Sequence, residues 1–119
     1  WVEYLRGSRF GVKVKEVFDE DGSEVYTCAV TLAEVISKVA REGRDVEATY
    51  DLLLSNSQVI TVDEEISKHA GLLHCEMRRS VKDFGLADAY VLAVARLLKA
   101  KVLTGDAHFR GVEGAVLIK

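Results

Sequence analysis

The sequence predicts an α/β protein, a three-layer α/β/α sandwich in which helices cover both faces of a mainly parallel sheet. Short apolar stretches rich in β-branched residues alternate along the chain with helical patterns. The connections between these stretches are too long for hairpins, and a parallel crossover usually contains a helix. The 119 residues contain no linker, repeat or low-complexity tract. One domain spanning 1–119 is therefore expected.

Four stretches are predicted to form strands. The first follows the turn signal Asp21-Gly22 and is rich in β-branched and aromatic residues, so it is expected to be buried on both faces. Two further stretches resemble it, and the last is weaker. The predicted strands are 24–30, 58–62, 101–104 and 115–118.

Five stretches are predicted to form helices, because their apolar residues recur at the spacing of one helix face. They are 1–7, 32–40, 46–54, 66–73 and 86–100. The first begins at Trp1 as a helix already under way and ends at Gly7. We therefore expect that a segment upstream of Trp1 is either truncated or disordered.

The net charge of −3 argues against a protein that grips nucleic acid through an overall positive charge. A nucleic-acid substrate would have to be attracted by metal ions and local basic patches. Two such patches are present, although both fit a solvated helix surface equally well. They comprise Arg78, Arg79 and Lys82, and Lys38, Arg41 and Arg44.

Hydropathy and cysteine content predict a soluble, cytoplasmic protein. No apolar run approaches the roughly 18 residues that a membrane span requires, so no membrane association is expected. Cys28 and Cys75 lie far apart without a C-x-x-C spacing. Free thiols are favoured over a disulfide or a metal-ligand role.

Three acids attract attention because ligand sites of open parallel sheets lie beyond the carboxyl ends of the strands. Glu34 follows the first predicted strand, but Thr31 and Glu34 also fit a capping box. Asp106 follows the third strand, within a Gly-Asp pair that also suits a simple turn. Asp88 stands in a helix that is apolar nearly all the way round, where a carboxylate needs a partner.

The three acids indicate a binding site for a hard divalent cation. Three oxygen donors without paired cysteines or histidines suit Mg²⁺ or Mn²⁺ better than zinc. His69, His74 and His108 have no zinc-protease spacing, and no ligand role is predicted for them. The sequence also lacks a P-loop, a dinucleotide-binding glycine pattern and a serine-hydrolase elbow.

Three motifs, taken in order, resemble the signature of the PIN-domain family, and VapC-type toxins most closely. They are TLAEV at 31–35, GLADA at 85–89 and LTGD at 103–106, the last followed by Phe109. The resemblance implies an Mg²⁺- or Mn²⁺-dependent endoribonuclease with four acids around the metal. Glu34, Asp88 and Asp106 match three of them. The fourth, at the end of a first central strand, would precede Trp1 and is absent here.

The resemblance also carries expectations about neighbouring residues and partners. A second acid often stands at the position of His108 in this family, so a second metal would be weakened here. Thr104 matches a hydroxyl position sometimes found at the site. VapC-like proteins further suggest a homodimer and a small antitoxin that inhibits the site.

Two alternatives to a nuclease come from other functional classes. A catalytically silent PIN-like module could bind RNA or a protein while its acids serve only in caps and turns. A phosphoacceptor signalling domain has a similar sheet but needs its acids on strand ends. The position of Asp88 in a predicted helix argues against the second alternative.

Overall fold

The computed structural model describes residues 1–20 and 22–119. The chain divides into two compact units, called here the first unit (Trp1–Ile60) and the second unit (Thr61–Lys119). The first unit contains α1 (Val2–Arg6), α2 (Arg9–Asp19), β1 (Tyr26–Cys28), α3 (Ala29–Arg41), α4 (Val46–Asn56) and β2 (Gln58–Ile60). The second unit contains α5 (Glu64–Met77), α6 (Leu86–Leu98), β3 (Val102–Thr104), a 3₁₀ turn (Ala107–Phe109) and β4 (Ala115–Leu117).

The predicted α/β class with parallel strands is confirmed. Strand β1 pairs in parallel with β2, and β3 pairs in parallel with β4. In the described residues the four strands thus form two separate two-stranded sheets. The first predicted strand is shorter than expected, because Ala29 and Val30 already belong to α3. The single-domain organisation and the upstream strand stay predictions.

Helices α1 and α2 form the start of the first unit. Helix α1 ends at Gly7, whose φ of 67° is left-handed, as the sequence predicted. Helix α2 was not predicted, although Ser8 caps it by accepting a hydrogen bond from the Gly11 N–H. A Cβ at Gly11 would lie 2.3 Å from the Glu3 carbonyl oxygen, so only glycine allows α2 to approach α1 this closely.

A chain of hydrogen bonds ties α1 to β1 and α4 in the first unit. The Ser57 hydroxyl donates to the Leu53 carbonyl oxygen at 2.7 Å. Its proton is therefore committed, so the Thr27 hydroxyl donates to Ser57 Oγ, also at 2.7 Å. Trp1 Nε1–H in turn donates to Thr27 Oγ1 at 3.1 Å. Thr27 is only 2% exposed, and this chain satisfies its hydroxyl group.

The apolar core of the first unit lies between α3 and α4. Its fully buried members are Val35, Val39 and Leu53, and four half-buried residues surround them: Trp1, Leu5, Leu32 and Val46. Leu32, Val35 and Val39 of α3 therefore face this core, as expected from their helical spacing. Among the described residues, none of the helices has the length and apolar character needed to cross a bilayer.

The second unit places the start of α6 beside the turn that follows β3. Phe84, which precedes α6, is fully buried and packs edge-on against Phe109 with ring centroids 5.4 Å apart. Strands β3 and β4 are joined by ten residues that contain a 3₁₀ turn instead of an α-helix. Ten residues are too few for a helix flanked by two turns, so this crossover departs from the expected pattern.

Candidate metal centre

Asp88 lies in the first turn of α6. Its Oδ2 accepts a hydrogen bond from the backbone N–H of Gly85 at 3.2 Å. Gly85 is the N-cap residue and has no side chain to bond the helix start, so Asp88 binds one of the exposed backbone donors. The positive end of the helix dipole also favours a carboxylate here. The backbone thus fixes Asp88 in place, with its side chain 25% exposed.

Asp106 begins the 3₁₀ turn directly after β3. Its Oδ1 accepts a hydrogen bond from the backbone N–H of His108 at 2.8 Å. Its own N–H donates to Thr104 Oγ1 at 3.0 Å. The Thr104 hydroxyl therefore orients the turn that carries the carboxylate.

His108 completes a cluster with these two acids. Its Nδ1 lies 3.3 Å from Asp106 Oδ1 and 3.7 Å from Asp88 Oδ2. One ligand atom from each of the three side chains lies within 4.8 Å of the others. The Nδ1 atom is buried, yet makes no geometrically acceptable hydrogen bond to any part of the described chain. Such a group calls for a cation between the three side chains or a proton on the imidazole.

Sequence reasoning assigned no ligand role to His108, and the structure places it in the cluster. Its position was the available signal, because it stands two residues after Asp106, where the family often carries an acid. A 3₁₀ turn of three residues folds its side chain back toward Asp106.

Burial raises the pKa of the Asp88 carboxyl above its ordinary value, and the Asp106 carboxylate adds to this effect. The Gly85 N–H and the His108 side chain oppose it by stabilising the charged form. The charged form of Asp88 therefore gains from any further positive charge placed at the cluster.

Glu34 lies on an exposed part of α3 in the first unit. The capping-box interpretation of Thr31 and Glu34 is wrong, because α3 begins earlier, at Ala29, with Cys28 as its N-cap residue. Thr31 and Glu34 therefore both lie within the helix, and neither of them is at its N-cap. The structure brings Asp88 and Asp106 together, whereas the participation of Glu34 stays a prediction.

The donor set of the cluster fits a divalent metal ion. Two carboxylates suit Mg²⁺ and Mn²⁺, and a neutral imidazole is an accepted ligand of transition metals. The unpartnered Nδ1 of His108 is the atom that such an ion would engage. The O,O,N set favours Mn²⁺ somewhat over Mg²⁺, which prefers oxygen ligands.

Comparison with protein families gives a match over almost the whole chain. The model of the PIN domain matches residues 1–115. The chain belongs to the PIN-domain family. PIN domains are generally nucleases and typically use divalent metals. In this PIN domain, Asp88, Asp106 and His108 form a possible metal site.

A solved structure shares the fold of this PIN domain. A chain from a toxin–antitoxin complex of Klebsiella pneumoniae superposes with a TM-score of 0.76 at 22% sequence identity. The match covers 99% of this chain and 91% of that chain. At this level of identity the likeness shows the fold alone. The comparison with curated proteins gives no match.

Proposed function

We propose that this PIN domain is an Mg²⁺- or Mn²⁺-dependent endoribonuclease that cleaves RNA phosphodiester bonds. The observation that carries the proposal is the convergence of Asp88, Asp106 and His108 within 4.8 Å at the end of β3. Backbone donors hold both carboxylates in place, and a site whose ligands are held in this way binds an ion with little rearrangement. Glu34 is proposed as a further ligand on the family resemblance.

In this mechanism Asp88 and Asp106 would hold the ion, and His108 Nδ1 would bind it through the neutral form of the imidazole. When bound, the ion supplies a water of lowered pKa and positive charge beside the scissile phosphate. A carboxylate oxygen of Asp88 that does not bind the ion would accept a proton from the attacking water. The P–O bond to the leaving oxygen would break as the new P–O bond forms, and solvent water would protonate the leaving oxygen. Without an ion, the two carboxylates repel the phosphates of RNA, so cleavage depends on metal.

The proposal extends to a toxin that is inhibited by a small antitoxin protein. The shared fold with a chain from a toxin–antitoxin complex supports this assignment. A ribonuclease toxin acts on cytoplasmic RNA, and the free thiols of Cys28 and Cys75 are compatible with a reducing compartment. The homodimer is proposed on the family resemblance.

A second candidate is a catalytically silent PIN module that binds RNA or a protein. The hydrogen bonds of the two acids favour it, since Asp88 caps α6 and Asp106 caps the 3₁₀ turn. Structural caps need no metal. Metal binding therefore separates the two candidates.

The deciding experiment combines Mn²⁺ titration by calorimetry with cleavage of a fluorophore-labelled single-stranded RNA. We expect the wild-type protein to bind Mn²⁺ and to lose cleavage in EDTA. Asp88→Asn keeps the hydrogen-bond acceptor for Gly85 but removes the charge, so cleavage should fall by at least about 100-fold. Glu65→Gln is the matched control, because Glu65 is exposed in the same unit and the change removes the same charge.

Two results would contradict the proposal: cleavage by Asp88→Asn at the wild-type rate, or absence of Mn²⁺ binding to the wild-type protein. The place of Glu34 is tested separately with Glu34→Gln, using Glu16→Gln on the exposed face of α2 as its control. A selective loss of Mn²⁺ affinity in Glu34→Gln would support Glu34 as a ligand. Equal affinity in both variants would remove Glu34 from the site.

A further inference from the structure

The loop between α5 and α6 carries a group of basic side chains with no acidic partner. Arg78, Arg79 and Lys82 are exposed, and none of them forms an ion pair within the described part of the chain. We call residues 78–82 the basic loop. With the neighbouring Asp83, residues 78–83 carry three basic side chains and one acid, a net charge of +2, in a protein whose net charge is −3.

The basic loop is joined closely to the metal centre within the second unit. Lys82 is three residues from Gly85, so their Cα atoms are at most about 11 Å apart. The Gly85 N–H binds Asp88 directly. Phe84, between them, packs on Phe109, the residue that follows His108. The loop and the metal cluster are thus fixed to the same buried aromatic pair.

Helix capping explains only part of this arrangement. Arg78 and Arg79 follow the carboxyl end of α5, where positive charge complements the helix dipole. Lys82 instead precedes α6 by four residues in the chain, and positive charge before the amino end of a helix is not favoured by the helix dipole. Because Asp88 already binds the backbone donor at the start of α6, the helix dipole does not account for Lys82, whose charge is available to an anion.

We propose that the basic loop binds the phosphate backbone of single-stranded RNA beside the metal centre, an inference that rests on the proposed nuclease function. Arginine and lysine bind phosphates regardless of sequence, so the loop would supply affinity and register while the metal cluster supplies the chemistry. The carboxylates repel RNA, and the basic loop attracts it. The loop would therefore provide a local RNA-binding surface on a protein with a negative net charge.

The test uses a variant with Arg78, Arg79 and Lys82 all replaced by Gln. RNA binding is followed by fluorescence anisotropy in EDTA across a range of KCl concentrations. Loss of three phosphate contacts should reduce the slope of log K against log salt by about 2, and affinity near 0.1 M KCl by about ten-fold or more. With Mn²⁺ present, KM should rise while kcat and Mn²⁺ affinity stay unchanged.

The matched control removes three positive charges at the other end of α6, with Arg96, Lys99 and Lys101 replaced by Gln. About eleven helical residues, or roughly 16 Å, separate Lys99 from Asp88 along the axis. We expect this control to keep the wild-type salt slope. Equal slopes in both triple variants would overturn the proposal, because only total charge would then matter.

The remaining outcomes separate the loop from the nuclease assignment. Unchanged RNA affinity in the basic-loop variant, alongside Mn²⁺-dependent cleavage by the wild type, would reject the loop and leave the nuclease function standing. Reduced stability with unchanged RNA affinity would show that the loop only caps α5. A selective change of salt slope without any cleavage by the wild type would support RNA binding by the loop and reject the nuclease function.

Discussion

The two units of this PIN domain differ in net charge and in the pairing of their charged side chains. The first unit has seven basic and eleven acidic residues, a net charge of −4, and the second has nine and eight, a net charge of +1. In the first unit, Lys15 pairs with Asp19 at 2.9 Å, and three basic side chains surround Glu42. In the second unit, two carboxylates converge on one imidazole, while the basic loop forms no ion pair with any acid that the structure describes.

Several charged side chains of the first unit pair with one another, whereas those named in the second unit are available to a ligand. The ion pairs of the first unit are exposed and contribute little to stability. Asp88 and Asp106 are instead held by backbone N–H groups, so their positions do not depend on a flexible basic side chain. The second unit therefore presents both a possible metal site and a surface suited to phosphates.

The largest expected effect is stabilisation of the protein by metal. At an Mn²⁺ concentration of 100 times Kd, the free energy of unfolding should rise by about 2.7 kcal/mol. Urea denaturation with and without Mn²⁺ measures this gain. Asp88→Asn should abolish it, because one anionic ligand is lost. An equal gain in the free energy of unfolding in wild type and Asp88→Asn would mean that the ion binds elsewhere. The proposed difference between the two units would then be wrong.

A comparable effect on stability, without an effect on metal, is expected at Thr27 in the first unit. Thr27→Val keeps the shape of the side chain but leaves Trp1 Nε1–H without its acceptor. We expect a loss of about 1 to 3 kcal/mol in the free energy of unfolding. The exposed Thr61→Val is the control. Wild-type stability in Thr27→Val would show that the hydrogen-bond chain does not hold the first unit together.

The smallest expected effect is the pH dependence of the metal-free protein. Because burial raises the pKa of Asp88, the folded state binds its proton more tightly than the unfolded state does. Stability from this group is present at low pH and is lost as pH rises through the raised pKa. In EDTA, Asp88→Asn should therefore gain stability relative to wild type as pH increases toward neutrality.

Denaturation midpoints at a series of pH values measure this difference. Asp83→Asn, an exposed site in the same unit, should show no comparable trend. A fall in the relative stability of Asp88→Asn with rising pH would mean that the charged carboxylate is well satisfied without metal. Such a result would favour the silent module.

Local sequence signals predicted the strands better than the helix boundaries. Strands β2, β3 and β4 lie inside the predicted stretches. Short β-branched runs bounded by polar residues are typical of strands. The start of α3 was predicted too late in the chain. Thr31 and Glu34 have the spacing of a capping box, but the helix begins earlier, at Ala29. Helix α2 was missed although Ser8 caps it.

The site was only partly accessible from sequence. Asp88 was recognised because a carboxylate among apolar helix residues needs an explanation, and Asp106 because it follows a strand. His108 was missed, since a lone histidine has no spacing motif and reaches the cluster only through the 3₁₀ turn. The basic loop was visible as charge, but its lack of acidic partners became apparent only in three dimensions.

The most direct test of the central claim is a crystal structure of the protein soaked in Mn²⁺, with anomalous diffraction recorded. We expect an anomalous peak between the carboxylates of Asp88 and Asp106 and His108 Nδ1, and no such peak for Asp88→Asn. A wild-type crystal without a peak at this cluster, or with His108 bound to the two carboxylates as an imidazolium in the presence of Mn²⁺, would contradict it.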